Sequence, residues 1–392
     1  MNLNAEMSSA RLMSIDFLRG CAVLGVVVSH SFPHEPDMAY LAVQSPWLDP
    51  LGDMVGRLTL GLPLFFVISG FCIHLPWARR QAATGEARLD FVPFWKRRIH
   101  RLYPPYLVVL CICMLMVLAA YAMGRARYYP EPKLQWIGID FIAHVFMLHG
   151  FHPLLDTGGG NPPMWSLARE ELLYAMYFPL LAWRKKWGMP AALAGVLLLG
   201  LVFPPAMRSI VQEYSYFSGV VESSAAVLWI QWALGMASVE AHYRLTRLPG
   251  WCSAGRMVVV WLLISEICRV YSPGLVTAVL GMIFFTLINF CVQENVAQSL
   301  CRHRLAVCLA NVGMISYSLY LVHYPAAMIL RELFGFIAAP PNVWAALFGM
   351  ALKIGAGYCV ARLFYACVER RFLNSRTRFY EIADPVRSEI GR

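Results

Sequence analysis

Apolar residues run in long unbroken blocks along this chain, separated by short stretches where charge collects. The blocks fall near 15–32, 58–77, 103–123, 166–184, 189–207, 224–241, 256–271, 274–292, 309–334 and 343–368. Most come near the roughly 20 residues that an α-helix needs to cross the hydrocarbon of a bilayer. The shortest, 256–271, must borrow flanking residues or be tilted by its neighbours. A weaker run, 136–150, carries Asp140, His144 and His149 and is expected as a re-entrant or interfacial helix. The pattern predicts an all-α integral membrane protein of about ten transmembrane helices plus that extra helix. Residues 1–372 form the expected membrane-embedded domain, and 373–392 a short basic tail. The first run holds Asp16 and Arg19 and has no convincing small-residue cleavage site, so it is expected to stay as the first helix. No internal repeat of the kind many transporters carry is visible.

Composition agrees with this reading. Of 392 residues, 59% are hydrophobic and only 14% charged, against roughly a quarter charged in soluble domains. The net charge of +10 does not indicate nucleic acid, because the basic residues sit in short loops between apolar runs. With 136–150 not crossing, one set of loops collects 22 of the 33 lysines and arginines. The other set holds Arg57, Arg125, Arg127, Lys133 and Arg208. Positive charge favours the inner face, so both termini are expected to be cytoplasmic. A crossing by 136–150 would swap every later loop and erase the bias. Eleven cysteines include no CxxC pair and read as small buried hydrophobes.

Ionisable residues inside apolar runs are costly and mark candidate chemistry. Arg19 and His30 lie eleven residues apart in the first run, with only apolar residues from Cys21 to Val28 between them. Eleven residues is close to three helical turns, so both fall on one face about 16 Å apart along the axis. On the expected topology Arg19 lies toward the cytoplasm and His30 toward the outer face. Histidine is suited to take a proton near neutral pH. The same pair also fits a buried histidine bonded to a carbonyl and an arginine snorkelling to headgroups.

Four other segments stand out. The basic hinge from Phe94 to Tyr106 contains Arg97, Arg98 and Arg101, which suit phosphates or serve as an anchor on anionic lipid. Trp165-Ser166-Leu167 with Glu170 and Glu171 opens a helix after Pro162 and Pro163. Its carboxylates suit the helix dipole, and at the depth of His30 they also suit an imidazole or sugar hydroxyls. Gly158-Gly159-Gly160 before it lacks a phosphate-loop ending and reads as a flexible hinge. Ser69-Gly70 within Leu64–Phe71 permits close helix approach. Ser316, Tyr320 and His323 share a helical face, with His323 two residues before Pro325. It fits either support of a site or satisfaction of the backbone that Pro325 leaves unpaired. The outer histidines His144, His149 and His152 with Asp156 match no strong zinc spacing.

Taken in order, these segments resemble the acyltransferase-3 family of integral membrane acyltransferases, from about Ser14 to Phe372. Ile15-Asp16-Phe17-Leu18-Arg19-Gly20 through His30 is similar to its opening LDGLRG…H. Leu64–Phe71 resembles FFVLSGF, and Arg97–Pro104 resembles RRILRIYP. Trp165-Ser166-Leu167 with Glu170, Glu171 and Tyr174 resembles WSLSVEEQFY, and Ser316–His323 resembles SYSLYLWH. Phe17, Arg169 and Leu172 depart from the family's usual glycine, valine and glutamine.

The resemblance implies a multi-pass enzyme of the bacterial inner membrane. It implies transfer of an acyl group, usually acetyl, from cytoplasmic acyl-CoA to a glycan or lipid-linked sugar, with no permanently bound cofactor and no metal. His30 would be general base or transient acyl carrier, with Arg19, Glu170 and Glu171 as further catalytic candidates. Arg97, Arg98 and Arg101 would hold the CoA phosphates. Asp16, Ser69, Trp165, Tyr320 and His323 would contact substrate or support these groups. A transporter or flippase for an anionic or sugar substrate is the alternative from another class; it also explains intramembrane charge, but not the basic hinge.

Overall fold

The structure is a computed structural model that describes residues 9–33, 40, 41, 43, 45, 47–124, 134–156 and 158–373. The basic tail, apart from Leu373, lies outside the described residues, as do Arg125, Arg127 and Lys133. All regular structure among the described residues is helical. The principal helices are α1 (Ser9–Ser31), α2 (Gly61–Thr84), α3 (Phe91–Ala122), α4 (Leu134–Val145), α5 (Trp165–Ile210), α6 (Ala225–His242), α7 (Arg256–Tyr271), α8 (Val276–Cys291), α9 (Arg304–Met314), α10 (Ser316–Leu333) and α11 (Val343–Cys367).

Every predicted apolar run coincides with helix. Among the described residues, seven helices are long and apolar enough to cross a membrane, or eight if α9 and α10 form one broken span. The difference from about ten has three local causes. The 46 residues of α5 carry two predicted runs, divided at Gly188 by a non-helical backbone (φ 83°, ψ 169°). At 16 residues α7 is short for a span. The run 309–334 is interrupted at Ile315 between α9 and α10. The weak run near 136–150 becomes α4, whose 12 residues rise about 18 Å, short of a bilayer core.

Helix α4 is polar on its inner side and apolar on its outer side. Asp140 and His144 are fully buried, whereas Ile139, Ile142 and Phe146 just beyond its end are exposed. A polar face turned inward and an apolar face turned outward suit contact with lipid.

Contacts divide the chain into two compact units: residues 1–26, 57–88 and 138–314, and residues 27–56, 89–137 and 315–392. The centre of the first is α6, buried almost continuously from Ala225 to Glu240. It crosses α2 at a reciprocal pair of glycines. A Cβ at Gly70 would stand 1.9 Å from the Trp232 carbonyl oxygen, and one at Gly235 would stand 1.9 Å from that of Val67. Hydrocarbon supplies no hydrophobic drive between helices, so close backbone packing at small residues takes its place. The close approach expected of Ser69-Gly70 is therefore present. Gly20 of α1 and Gly313 of α9 repeat the arrangement against Leu309 and Asp16. In the second unit α10 packs along α11, and Leu41, Leu48, Val343 and Ala346 form a small apolar cluster.

These crossings predict a graded response to one methyl group. Gly70→Ala and Gly235→Ala should each lower the melting temperature in detergent, at a cost of about 1–3 kcal/mol for overpacking. Gly355→Ala in α11, where a Cβ meets nothing within 4 Å, should be neutral or stabilising by about 0.5–1 kcal/mol. Equal melting of all three variants would refute the crossing.

Candidate functional site

In the second unit, the end of α1 brings His30 to His323 of α10. Nδ1 of His30 lies 2.9 Å from Nε2 of His323, and the ring planes agree within 6°. Tyr324 presents an edge to His30. His323 is buried, and its Nδ1 lies 2.8 Å from the Tyr320 carbonyl and 3.1 Å from that of Leu319. Neither is Leu321, the carbonyl that Pro325 deprives of a helical N–H.

Carbonyl oxygens only accept hydrogen bonds, so Nδ1 of His323 carries that ring's proton. In the neutral ring Nε2 is then a lone pair, and His30 must donate to it from Nδ1. The remaining nitrogen of His30, Nε2, is left with a lone pair. The bonding pattern thus assigns both tautomers and makes His30 Nε2 the basic atom. Ser316 and Tyr320, predicted on the same face, are buried with His323. The N-terminus of α10 is capped by buried Glu369, which accepts from the backbone N–H of Ser318 at 3.1 Å and from its hydroxyl.

The first unit holds the other intramembrane charges. Arg19 donates to Asp16 Oδ1 at 3.3 Å, one helical turn back, and to Cys72 Sγ at 3.2 Å. Glu170 is near enough to interact electrostatically with Arg19. Its carboxylate accepts from Ser69 Oγ at 2.7 Å and from the Tyr174 hydroxyl. Arg19, Asp16, Ser69, Glu170 and Tyr174 therefore belong to one polar group. Glu171 is half-buried on the next helical position. Trp165 is half-buried too, with the Arg169 guanidinium 5.9 Å from its ring centroid.

Arg169 proves to be scaffold. It is 1% exposed and binds the Gly150 carbonyl, the Ser223 carbonyl and hydroxyl, and Asp156 at 2.9 Å. The glycine run beside it is a packed turn and not the expected loose hinge. Gly159 and Gly160 both adopt φ 67°, a region that favours glycine. Gly159 N–H donates to Asp140 Oδ2 at 2.6 Å. Asp140 also lies 2.9 Å from His144 Nδ1, and His144 stacks on His149 with centroids 3.8 Å apart. His149 donates from Nε2 to the Met164 carbonyl at 3.2 Å, directly before α5. This latch joins α4, the glycine turn and the start of the Glu170 helix. Among the described residues, no three His, Cys, Asp or Glu side chains form a metal-ligand group.

In the basic hinge, Arg97 is exposed and Arg98 and Arg101 are half-buried at the start of α3. Arg98 lies 5.0 Å from the Phe94 ring centroid. The helix continues through Pro104 and Pro105, whose missing N–H groups leave the preceding turn short of donors. Tyr317 donates to the neighbouring Leu102 carbonyl at 2.8 Å.

Sequence reasoning missed a buried ion pair. Fully buried Glu240 of α6 accepts from Arg184 at 2.6 and 3.0 Å and from Thr246 at 2.7 Å. It also faces His74 Nε2 at 3.1 Å, while His74 Nδ1 meets Tyr177 at 2.9 Å. The signal was present, since His74 and Glu240 both sit within or beside apolar runs. Cys72 was missed because nothing in a thiol's sequence context announces an arginine partner.

Comparison with known proteins adds an independent finding. A family model described as an acyltransferase domain matches residues 13–362. The peptidoglycan O-acetyltransferase OatA of Listeria monocytogenes is 24% identical over 94% of this chain and 57% of its own length. The O-acetyltransferase OatA of Staphylococcus aureus is 29% identical over 43% of this chain and 24% of its own length. The chain thus spans little more than half of the Listeria relative. No solved structure matches it.

The latch predicts a pH response. Burial first, and His144 second, push the His149 imidazole down from 6.5 to about 3. The opened segment binds a proton near 6.5 and the packed one does not, so the stability of the latch falls as pH drops from 6.5 toward 3. Amides of 138–164 should exchange faster at pH 5 than at pH 7 after correction for intrinsic rates. His149→Gln should remove its share of that difference, apart from any contribution of Asp156, whose carboxyl burial raises. Equal protection at both pH values in the unmodified protein would discount the latch.

Proposed function

Because the chain belongs to the acyltransferase-3 family, we propose that it transfers an acyl group, acetyl in the simplest case, from acyl-CoA to a hydroxyl of a cell-envelope or exported glycan. The donor approaches from the cytoplasmic side of a bacterial inner membrane and the acceptor from the other side. The names of the OatA relatives support O-acetylation of a glycan. The observation that carries the chemistry is the His30–His323 pair.

In this reading His30 Nε2 takes the proton of the acceptor hydroxyl as its oxygen attacks the thioester carbonyl. The C–S bond breaks, the ester C–O bond forms, and the proton passes to the departing CoA thiolate. The bond from His30 Nδ1 to His323 holds the ring and stabilises the imidazolium that forms. The same lone pair serves if His30 first carries the acyl group itself. Arg97, Arg98 and Arg101 hold the CoA phosphates by charge and bidentate geometry. Arg19, held by Asp16, is assigned to the thioester end of the donor. Glu170, fixed by Ser69 and Tyr174, sets the polarity around Arg19. Trp165, Glu171 and Tyr320 contact substrate or support these groups.

Membranes given labelled acetyl-CoA and extracted envelope glycan test this reading. His30→Ala should lower transfer by about 10²–10⁴ at normal expression; unimpaired transfer would sink the chemistry. His323 is a positioning residue. His323→Gln, which still accepts from His30, should retain more activity than His323→Leu and should alter the pH profile of kcat more than KM. Identical profiles for both variants would make His323 merely structural. Arg98→Ala should raise the KM for acetyl-CoA, and an unchanged KM would reassign the hinge to membrane anchoring. Substrate movement without acyl-CoA would favour the transporter reading.

A further inference from the structure

Helices α5 and α6, both in the first unit, border a groove lined by Pro179, Ala182, Trp183, Lys186, Trp187 and Trp229. The five positions on α5 recur at the spacing of one helical stripe, about 12 Å long. The groove holds about 430 Å³, within the roughly 300–1,000 Å³ of sites that take small molecules. Its aromatic wall is firm. Trp183 packs over Gly195 in the second half of α5, where a Cβ would stand 2.7 Å from the ring. The Trp183 and Trp187 ring centroids lie 6.0 Å apart.

Arg184, Lys185 and Lys186 are consecutive, but their contacts separate them. Arg184 is spent on Glu240. Lys185 reaches the Ala87 carbonyl at 3.4 Å and the Trp77 ring. Lys186 is exposed and lines the groove, with Nζ 4.6 Å from the Trp187 ring centroid. Among the described residues the lining thus carries a cation and no carboxylate. On the α6 side Trp229 is 5% exposed, and its indole N–H meets no acceptor among the described residues. A buried Trp N–H normally has a partner, and hydrocarbon supplies none.

We propose that this groove binds a glycerophospholipid with a net negative headgroup. Its phosphate sits on Lys186, its ester carbonyls turn toward Trp229, and one acyl chain runs along Pro179, Ala182 and Trp183. The preference for an anionic over a choline lipid follows from Lys186. The face of Trp187 would attract a quaternary ammonium, but Lys186 already covers it and repels a second cation. The inference rests on the membrane-spanning character of α5 and does not depend on the acyl-transfer reaction.

The 392-residue protein in a mild neutral detergent is titrated with phosphatidylglycerol or phosphatidylcholine of equal chain length, and bound lipid is counted by native mass spectrometry. Unmodified protein should hold one phosphatidylglycerol more tightly than any phosphatidylcholine. Lys186→Gln should weaken phosphatidylglycerol about five-fold, the ratio for losing one lysine near an anionic headgroup, and should leave phosphatidylcholine unchanged. Lys186→Arg should restore most of the preference. Ala182→Phe, which fills the groove, should displace the tightly held lipid. Arg80→Gln, exposed on α2 and off the lining, should bind as unmodified protein does.

Equal affinity of unmodified protein for the two lipids overturns the proposal. So does unchanged phosphatidylglycerol binding in Lys186→Gln, a surface change that leaves the packing untouched whatever Ala182→Phe does to it. An equal loss in Arg80→Gln reduces the effect to general surface charge and overturns it too. Displacement of the lipid by acetyl-CoA assigns the cation to the donor, and dimers that Ala182→Phe dissociates assign the groove to a second copy; either result also overturns it.

Discussion

Hydrocarbon offers no hydrogen bonds, so every polar atom carried into it must find its partner within the protein. That constraint organises the charged positions described above. Arg19 is met by Asp16 and Cys72. Glu240 is met by Arg184, Thr246 and His74. Nδ1 of His323 turns to its own helix for carbonyls. Each arrangement consumes most of the bonding capacity of its members. A buried pair of this kind contributes little net stability, but loss of one partner costs about 3–5 kcal/mol because a charge is stranded. The polar groups therefore fix how neighbouring helices are rotated about their axes, a property that apolar side chains specify poorly against lipid.

Four of the described histidines divide into three kinds by this criterion. His149 and His144 stack on one another and each bond a backbone carbonyl, and they lock a turn. His74 is enclosed between Tyr177 and Glu240, under the Trp77 ring. Of these four, His30 is the one that pairs through one nitrogen with a residue whose own tautomer is fixed and that lines an open cleft. A basic lone pair directed by a rigid neighbour and reachable by substrate is what a proton acceptor requires.

Much of this was legible in the chain. The apolar runs located the helices, because length and hydropathy are local properties of sequence. Arg19, His30 and His323 stood out by their cost, and Ser69-Gly70 by its small size. What escaped depended on rotation and on distant partners. Nothing in Arg169-Glu170 says that the first side chain turns to Gly150 and Asp156 while the second turns to Ser69 and Tyr174. One helical step of about 100° separates the two faces, and only packing decides which is which. The glycine run looked loose because glycine permits many conformations; Asp140 selects one of them. The span count differed for a similar reason: hydropathy sees the apolar run 309–334, but not the break at Ile315.

The inverted polarity of α4 has a practical consequence. Ile139, Ile142 and Phe146 face outward, and behind them lie Asp140 and the stacked imidazoles. Helix α4 itself thus walls a polar compartment, with its apolar side turned outward. Loosening that helix in a harsh micelle would admit water to groups that are dry only while it stays packed. Solubilisation chemistry is therefore part of the architecture at this edge, and preparations differing only in amphiphile would differ in how well the start of α5 is held.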